Sequence, residues 1–253
     1  MVRIYTAEEV AKIARSGAIL ARTMAMLKKE VAIGVTLKHL DDLAREYIRK
    51  EGAEPAFLGY HPHGAEHPYA ASICSSANDV IVHGFPTEYK IKAGDVLKID
   101  CGVLLDGMYS DSAFTIVVGK GTQKAQNLIK ATHKALEEAI RAARPGNHIG
   151  DIGHAVEKTA KRYGVNIVQG LTGHGVGYDL HEDPYVYNYG NKGEGLALKP
   201  GMVFAIEPML CTGRGQIKQL KDESWAMMDK GLSAQFEHTI VITETGAKIL
   251  TSL

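Results

Sequence analysis

Cysteine is scarce in this chain: Cys74, Cys101 and Cys211 lie far apart, with no C-x-x-C pair among them. That excludes a disulfide framework and zinc-finger spacing, and leaves reduced thiols as the default. An excess of one charge is missing too. Lys and Arg number 29 against 29 Asp and Glu, so there is no electrostatic reason to expect nucleic acid or an anionic membrane surface as a partner. No apolar run approaches the ~18 residues of a membrane span. The opening Met-Val-Arg-Ile-Tyr-Thr lacks the basic-then-apolar layout of an export signal, which points to the cytoplasm. Low-complexity tracts and long Pro- or Ser-rich linkers are absent as well. What is there is 253 residues, 45% hydrophobic and 23% charged, ample for a buried globular core.

Helical and strand-like patterns follow one another twice. Thr6 and Glu9 form a capping box, and Val10, Ile13, Ile19, Leu20 and Leu27 recur at helical spacing through 7–29. A second stripe, Leu37, Leu40, Leu43, Ala44, Tyr47 and Ile48, predicts a helix over 37–51 closed by Gly52. After a His-, Pro- and Gly-rich loop at 59–70, strands are expected near 72–76 and 79–84. Residues 97–118 read as a hairpin turning at Asp106-Gly107. Helices are then predicted over 123–143 and 149–163, the second ended by Gly164, and strands near 166–169, 202–207 and 235–243. Two rounds of helices then strands suggest an internal duplication. We read one domain, 1–253, with halves of roughly 1–120 and 121–253, in the α+β class, its antiparallel sheet covered by helices on one face.

Chemistry is carried first by two aspartates. With a two-residue turn at 106–107, position 100 faces 113 and 102 faces 111, so Asp100 and Asp111 share a face as diagonal neighbours. Such neighbours lie ~7–8 Å apart at the backbone. Carboxylates that close repel unless a cation sits between them. The bland alternative is a solvated sheet face, with Ile99 and Val103 marking the buried one. His174 lies in Gly-His-Gly-Val-Gly, Glu207 ends an apolar strand, and Glu237 lies within another apolar run. Each alone reads more readily as a structural residue. Together, four carboxylates and an imidazole suit two hard-to-borderline divalent ions. His83 and His181 stand at turns, where imidazoles beside metals would bind substrate and steady a tetrahedral intermediate.

Several pieces in order carry a resemblance over nearly the whole chain. They are Asn78-Asp-Val-Ile-Val-His83-Gly-Phe-Pro, Ile99-Asp100-Cys-Gly, Asp111-Ser, Gly173-His174-Gly-Val-Gly, His181-Glu-Asp-Pro, Ile206-Glu207-Pro and Ser233-Ala-Gln-Phe-Glu237-His-Thr. The chain resembles the type I methionine aminopeptidases of the pita-bread metallopeptidase fold. That resemblance implies a pseudo-two-fold duplicated sheet and two divalent ions, Co, Mn, Fe or Zn. It implies Asp100, Asp111, His174, Glu207 and Glu237 as metal ligands, with Asp111 and Glu237 bridging. It makes His83 and His181 the substrate-contacting histidines, and it implies a methionine pocket walled by Tyr60, Cys74, Leu180 and Trp225, with Phe57 and Tyr69. A water bridging two dications falls in pKa toward ~7 and would attack the first peptide carbonyl. Glu207 is the candidate proton shuttle, His181 the oxyanion stabiliser, and His83 the contact to the scissile amide.

The partner implied is the N-terminal Met of nascent polypeptides, with a small second residue preferred. Transient ribosome contact would follow from that task, though no basic patch supports it, and a monomer is the default. Departures from the family pattern cluster at the pocket: the 60–71 loop is long, Phe57 replaces a small residue and Leu180 an aromatic one. His61, His63 and His67 in that loop read as a solvated lid in preference to an extra metal site. A proline-directed peptidase of the same fold is the first competing reading, and a catalytically inactive binding module the second. Phosphate-loop, dinucleotide, H-E-x-x-H and G-x-S-x-G patterns are all absent.

Overall fold

A computed structural model of the chain describes residues 2–61 and 64–253. Helix α1 (Ala7–Glu30) starts at Thr6, whose hydroxyl accepts the Glu9 N–H while the Glu9 carboxylate accepts the Thr6 N–H, the reciprocal cap read from the sequence. Thr36 and Thr122 cap α2 (Leu37–Lys50) and α3 (Gln123–Ala142) through single hydroxyls. Helix α4 (Ile149–Tyr163) ends at Gly164 in the left-handed conformation.

The first half supplies strands β1 (Glu54–Pro55), β2 (Ile73–Ala77), β3 (Val80–Val82), β4 (Val96–Leu105) and β5 (Met108–Val117). The second supplies β6 (Asn166–Ile167), β7 (Thr172–Gly175), β8 (Glu182–Tyr187), β9 (Val203–Ile206) and β10 (Met209–Cys211). It continues with β11 (Ile217–Gln219), β12 (Trp225–Met227), β13 (Ser233–Gln235), β14 (His238–Ile242) and β15 (Ala247–Ile249). Strand β4 pairs with β5 on one side and with β1 and β2 on the other. The larger sheet of the second half runs β15-β14-β9-β7-β8. Helices α1 and α2 bury Leu20, Leu27, Leu40 and Ile48 against β4, while α3 and α4 bury Leu128, Ala135 and Val156 against Phe204 and Ile240. The class is α+β with antiparallel pairing.

The two sheets are stitched together where β5 meets the chain at 235–239. The Glu237 N–H donates to Ala113 O at 2.9 Å, and the Asp111 N–H to Thr239 Oγ1 at 2.9 Å. Thr239 Oγ1 returns a bond to Asp111 O at 2.8 Å, and Ser112 Oγ donates to Glu237 O at 2.8 Å. Lys98 reinforces the same line from the first half. Its side chain is 1% exposed, and its ammonium donates to Asn78 O at 2.9 Å and Ser233 O at 3.2 Å.

One expectation needs correction. The apolar run 235–243 is not one strand: β13 and β14 belong to different sheets, with Phe236 and Glu237 at the break between them. Hydropathy registers burial, and burial is continuous across that break, so the change of sheet leaves no mark in the pattern. Strands β1, β7, β8, β10 to β12 and β15 also lay outside the reading. Most are short, β7 carries Gly173 and Gly175, and β8 has Pro184 within it, so none shows a clear strand signature.

Candidate metal centre and cleft

The hairpin reading holds in register. Asp100 lies opposite Ala113 and Gly102 opposite Asp111, and Asp106 and Gly107 take φ of 50° and 75° as a type I′ turn requires. The aspartate face is not solvated, however. Asp111 is 3% exposed, and Ile99, Cys101 and Val103 are buried on the opposite face, so the hairpin is covered on both sides. Strand β7 brings His174 to the same place. Its Nδ1–H donates to Gly175 O at 2.9 Å, which leaves Nε2 with its lone pair directed at the carboxylates. That nitrogen is 3.7 Å from Glu207 Oε1 and 3.9 Å from Asp111 Oδ2. Glu207 follows β9, and Glu237 stands at the β13–β14 break, 2% exposed. Asp111, His174 and Glu237 each offer a ligand atom within 4.8 Å of the others.

This donor set fits divalent cations. Asp100 Oδ1, Asp111 Oδ1 and Glu237 Oε1 are buried with no hydrogen-bond partner, a costly state for an anion without a counter-charge. Burial pushes the Asp100 carboxyl up to about 7. Burial, and then the Asp100 and Glu207 charges, push Asp111 well above the usual carboxylate range. Glu237 is raised by burial and by Asp111 and Glu207, and Glu207 by burial and Asp100. Burial also lowers His174 to about 4, so its ring is a neutral donor. Two dications would neutralise four carboxylates, and oxygen with imidazole nitrogen suits borderline metals.

A cleft of about 1000 Å³ opens above this floor. His83 enters it from a left-handed backbone with φ of 59°, a strained position for a residue with a side chain. Gly84 makes that possible: a Cβ there would lie 2.5 Å from Ser75 O. His181 packs tilted against His174 with ring centroids 4.3 Å apart, and its Nδ1 is 2.6 Å from Tyr60 Oη. Both imidazoles are open to the cleft yet enclosed by its walls. Enclosure depresses both, and the neighbouring His174 and His83 lower His181 further.

Phe57, Cys74 and Leu180 pack as one apolar cluster with Tyr60 and Tyr69 at its edge. Trp225 lines the cleft from the other wall, on β12 beside Val82, and packs on a different cluster. Of the loop histidines, His67 lines the cleft, His61 bonds Ala65 O, and His63 lies outside the described residues. Three supporting residues escaped the sequence reading. Gln235 Nε2 donates to Glu207 Oε2 at 3.1 Å, and Asn188 Nδ2 to Glu207 O at 3.1 Å. Glu182 accepts the Tyr178 and Asp179 N–H groups and the Tyr5 hydroxyl, fixing the turn that carries Leu180 and His181. Only Gln235 had a signal to follow, as a polar residue two before Glu237 in a buried run.

The sequence pattern of metallopeptidase family M24 matches residues 11–244. The chain belongs to family M24. Within it, the chain is 42% identical to the methionine aminopeptidase of Aquifex aeolicus over 259 residues, covering 100% of this chain and 99% of that protein. It is 40% identical to methionine aminopeptidase 1 of Bacillus subtilis over 253 residues, 99% of each. The crystal structure of methionine aminopeptidase from Thermotoga maritima superimposes with a TM-score of 0.95 at 37% identity, covering all of both chains. A prolidase from Pyrococcus furiosus follows at 0.80 and 26%, this chain spanning 65% of its length. The M24 fold here is the pita-bread fold of these relatives. Among the described residues, no helix is long and apolar enough to cross a membrane.

Proposed function

We propose that this M24 enzyme is a methionine aminopeptidase that removes Met from the free N-terminus of peptides and nascent proteins, with a small second residue. The carrying observation is the convergence of four carboxylates and one imidazole, with three orphaned oxygens, at the floor of a cleft whose end is apolar. In this reading Asp100, Asp111, His174, Glu207 and Glu237 would hold two divalent ions. Bound there, the ions would make hydroxide available at neutral pH and polarise the first peptide carbonyl.

The chain's own residues do the rest. His181 Nδ1 pairs with the Tyr60 hydroxyl, and with that hydroxyl as the donor His181 presents Nε2–H to the cleft as a neutral donor to the oxygen on which charge develops. Glu207, held by Gln235 and Asn188, carries the proton of the attacking water to the leaving amine. His83 contacts the scissile amide. Phe57, Tyr60, Tyr69, Cys74 and Leu180, with Trp225 across the cleft, enclose an unbranched thioether side chain. Separation from residues one methylene different is worth only ~1–3 kcal/mol, so a neighbouring length of side chain would be cut more slowly and not rejected outright. The two halves would act as one catalytic unit, since each supplies ligands.

Hydrolysis of Met-Ala-Ser by metal-stripped protein titrated with Mn, Co, Fe and Zn, beside His174→Ala, tests this. Free Met should be released as metal returns, and the variant should take up less metal and lose activity. Cleavage of Ala-Pro-Ala in place of Met-Ala-Ser would instead favour a proline-directed peptidase.

A further inference from the structure

Three tyrosines stand exposed in a row along β8 and just beyond it. Tyr185, Tyr187 and Tyr189 are 65%, 44% and 48% exposed, while Val186 and Asn188 between them are buried. Val186 turns to the face packed by α3 and α4, so the tyrosines occupy the opposite face. That face is the one turned toward the cleft: Tyr185 lines the cavity, and Tyr187 lies opposite Thr172, another of its walls. The rings form a continuous ladder, with centroids 6.4 Å apart from Tyr185 to Tyr187 and 5.4 Å from Tyr187 to Tyr189. The backbone beside them is already covered. Gly153 of α4 sits so close that a Cβ there would collide with the Tyr187 and Tyr189 carbonyls. A partner therefore cannot add as another strand at that point, and what β8 offers is ring faces.

We infer that this ladder is an extended subsite for the substrate itself, taking alternate planar side chains, aromatic or arginine, of the peptide downstream of the cleaved bond. The inference rests on the aminopeptidase reading above. An extended peptide repeats its side-chain direction every second residue, about 6.6–6.8 Å, close to the 6.4 Å from the first rung to the second, while the third rung leans nearer at 5.4 Å. The occupant follows from continuity: the first rung is already a wall of the cleft, so a chain leaving the cleft along β8 meets the second and third in turn. Aromatic rings and guanidinium groups both stack favourably on tyrosine. Short substrates end before reaching the ladder, and longer ones gain from it.

The test uses Met-Ala-Ser and nonapeptides beginning Met-Ala-Ser, otherwise Gly and Ser, with one Phe or Arg moved from position 4 to position 9. kcat/KM for each is divided by that for Met-Ala-Ser. The expected profile rises about two- to tenfold at alternate positions. In Tyr187→Ser/Tyr189→Ser the profile flattens, the division removing any general change in activity. Equal values at every position, or a profile that survives in the double variant, would overturn the ladder while leaving the aminopeptidase reading intact. Binding of the same peptides bearing a C-terminal fluorophore, read by anisotropy, separates the two ideas from the other side. If no metal supports cleavage of Met-Ala-Ser yet alternate-position binding persists, the activity reading fails and the ladder is overturned as a substrate subsite, leaving a peptide-binding face. If neither cleavage nor position-dependent binding is seen, both fail.

Discussion

In the proposed reading His181 borders the metal ligands without being one of them, which makes it the residue whose role can be separated from metal holding. Its ring packs tilted against His174, pairs through Nδ1 with the Tyr60 hydroxyl and follows the turn knotted at Glu182. His181→Ala should therefore leave metal uptake near stoichiometric by calorimetry while lowering kcat by ~10²–10³, the usual loss of a single oxyanion donor. A fall in metal affinity of similar size would reassign it to the ligand set. At this scale much was legible. The Asp100–Asp111 relation followed from a turn signal and the two-residue period of a strand, and the structure reproduces that register. Gln235 and Asn188 were not legible as supports of Glu207, because a hydrogen bond to a group 28 or 19 residues away leaves no periodic trace.

Among the elements, the helices were the readable part and the short strands were not. A capped amphipathic helix announces itself over many residues, as α1 to α4 do, whereas a three-residue strand such as β10 or β12 is defined only by its partner. The β2–β3 region shows what such partners enforce. Gly84 lies against β2, its N–H donating to Ser76 Oγ at 3.0 Å and its carbonyl accepting from Ser75 N at 2.7 Å. Gly84→Ala would place a methyl 2.5 Å from Ser75 O and 2.7 Å from Ser76 Oγ, against backbone that cannot yield cheaply. The expected cost is about 1–3 kcal/mol in urea unfolding. Because His83 precedes it, KM should rise alongside. Unchanged stability would show that the strand gives way there.

Across the whole molecule, the site concentrates four buried carboxyl groups whose charge divalent cations would offset. In metal-stripped protein Asp100 holds its proton up to about 7, against about 4 for a free aspartate. Between those limits the folded-state Asp100 binds more proton than its unfolded counterpart, so its contribution to stability falls as pH rises through that window. The histidines depressed by burial act in the opposite sense below about 6.5, so the comparison is with stripped Asp100→Asn protein. From pH 5 to 7 the melting temperature of stripped wild-type protein should fall relative to that of the variant. Parallel profiles in the two stripped proteins would contradict this charge assignment. Lys98 matters at the same scale, joining β4 to Ser233 across the seam. Lys98→Ala leaves a cavity and deprives Asn78 O and Ser233 O of a donor, with an expected loss of ~2–5 kcal/mol in urea. The order of helices and strands along the chain was visible in the sequence. The seam was not, since it is made of single hydroxyl and amide contacts between distant segments.

That seam has a consequence for how the molecule could be taken apart. Asp100 and Asp111 come from one side of the stretch at 119–122, and His174, Glu207 and Glu237 from the other. Neither piece of a chain cut there would own the whole of the proposed ligand set. Two separately produced fragments should stay apart in chelator and join when Mn or Co is supplied, so that a divalent ion becomes the rivet of a two-part protein and its concentration the signal for assembly.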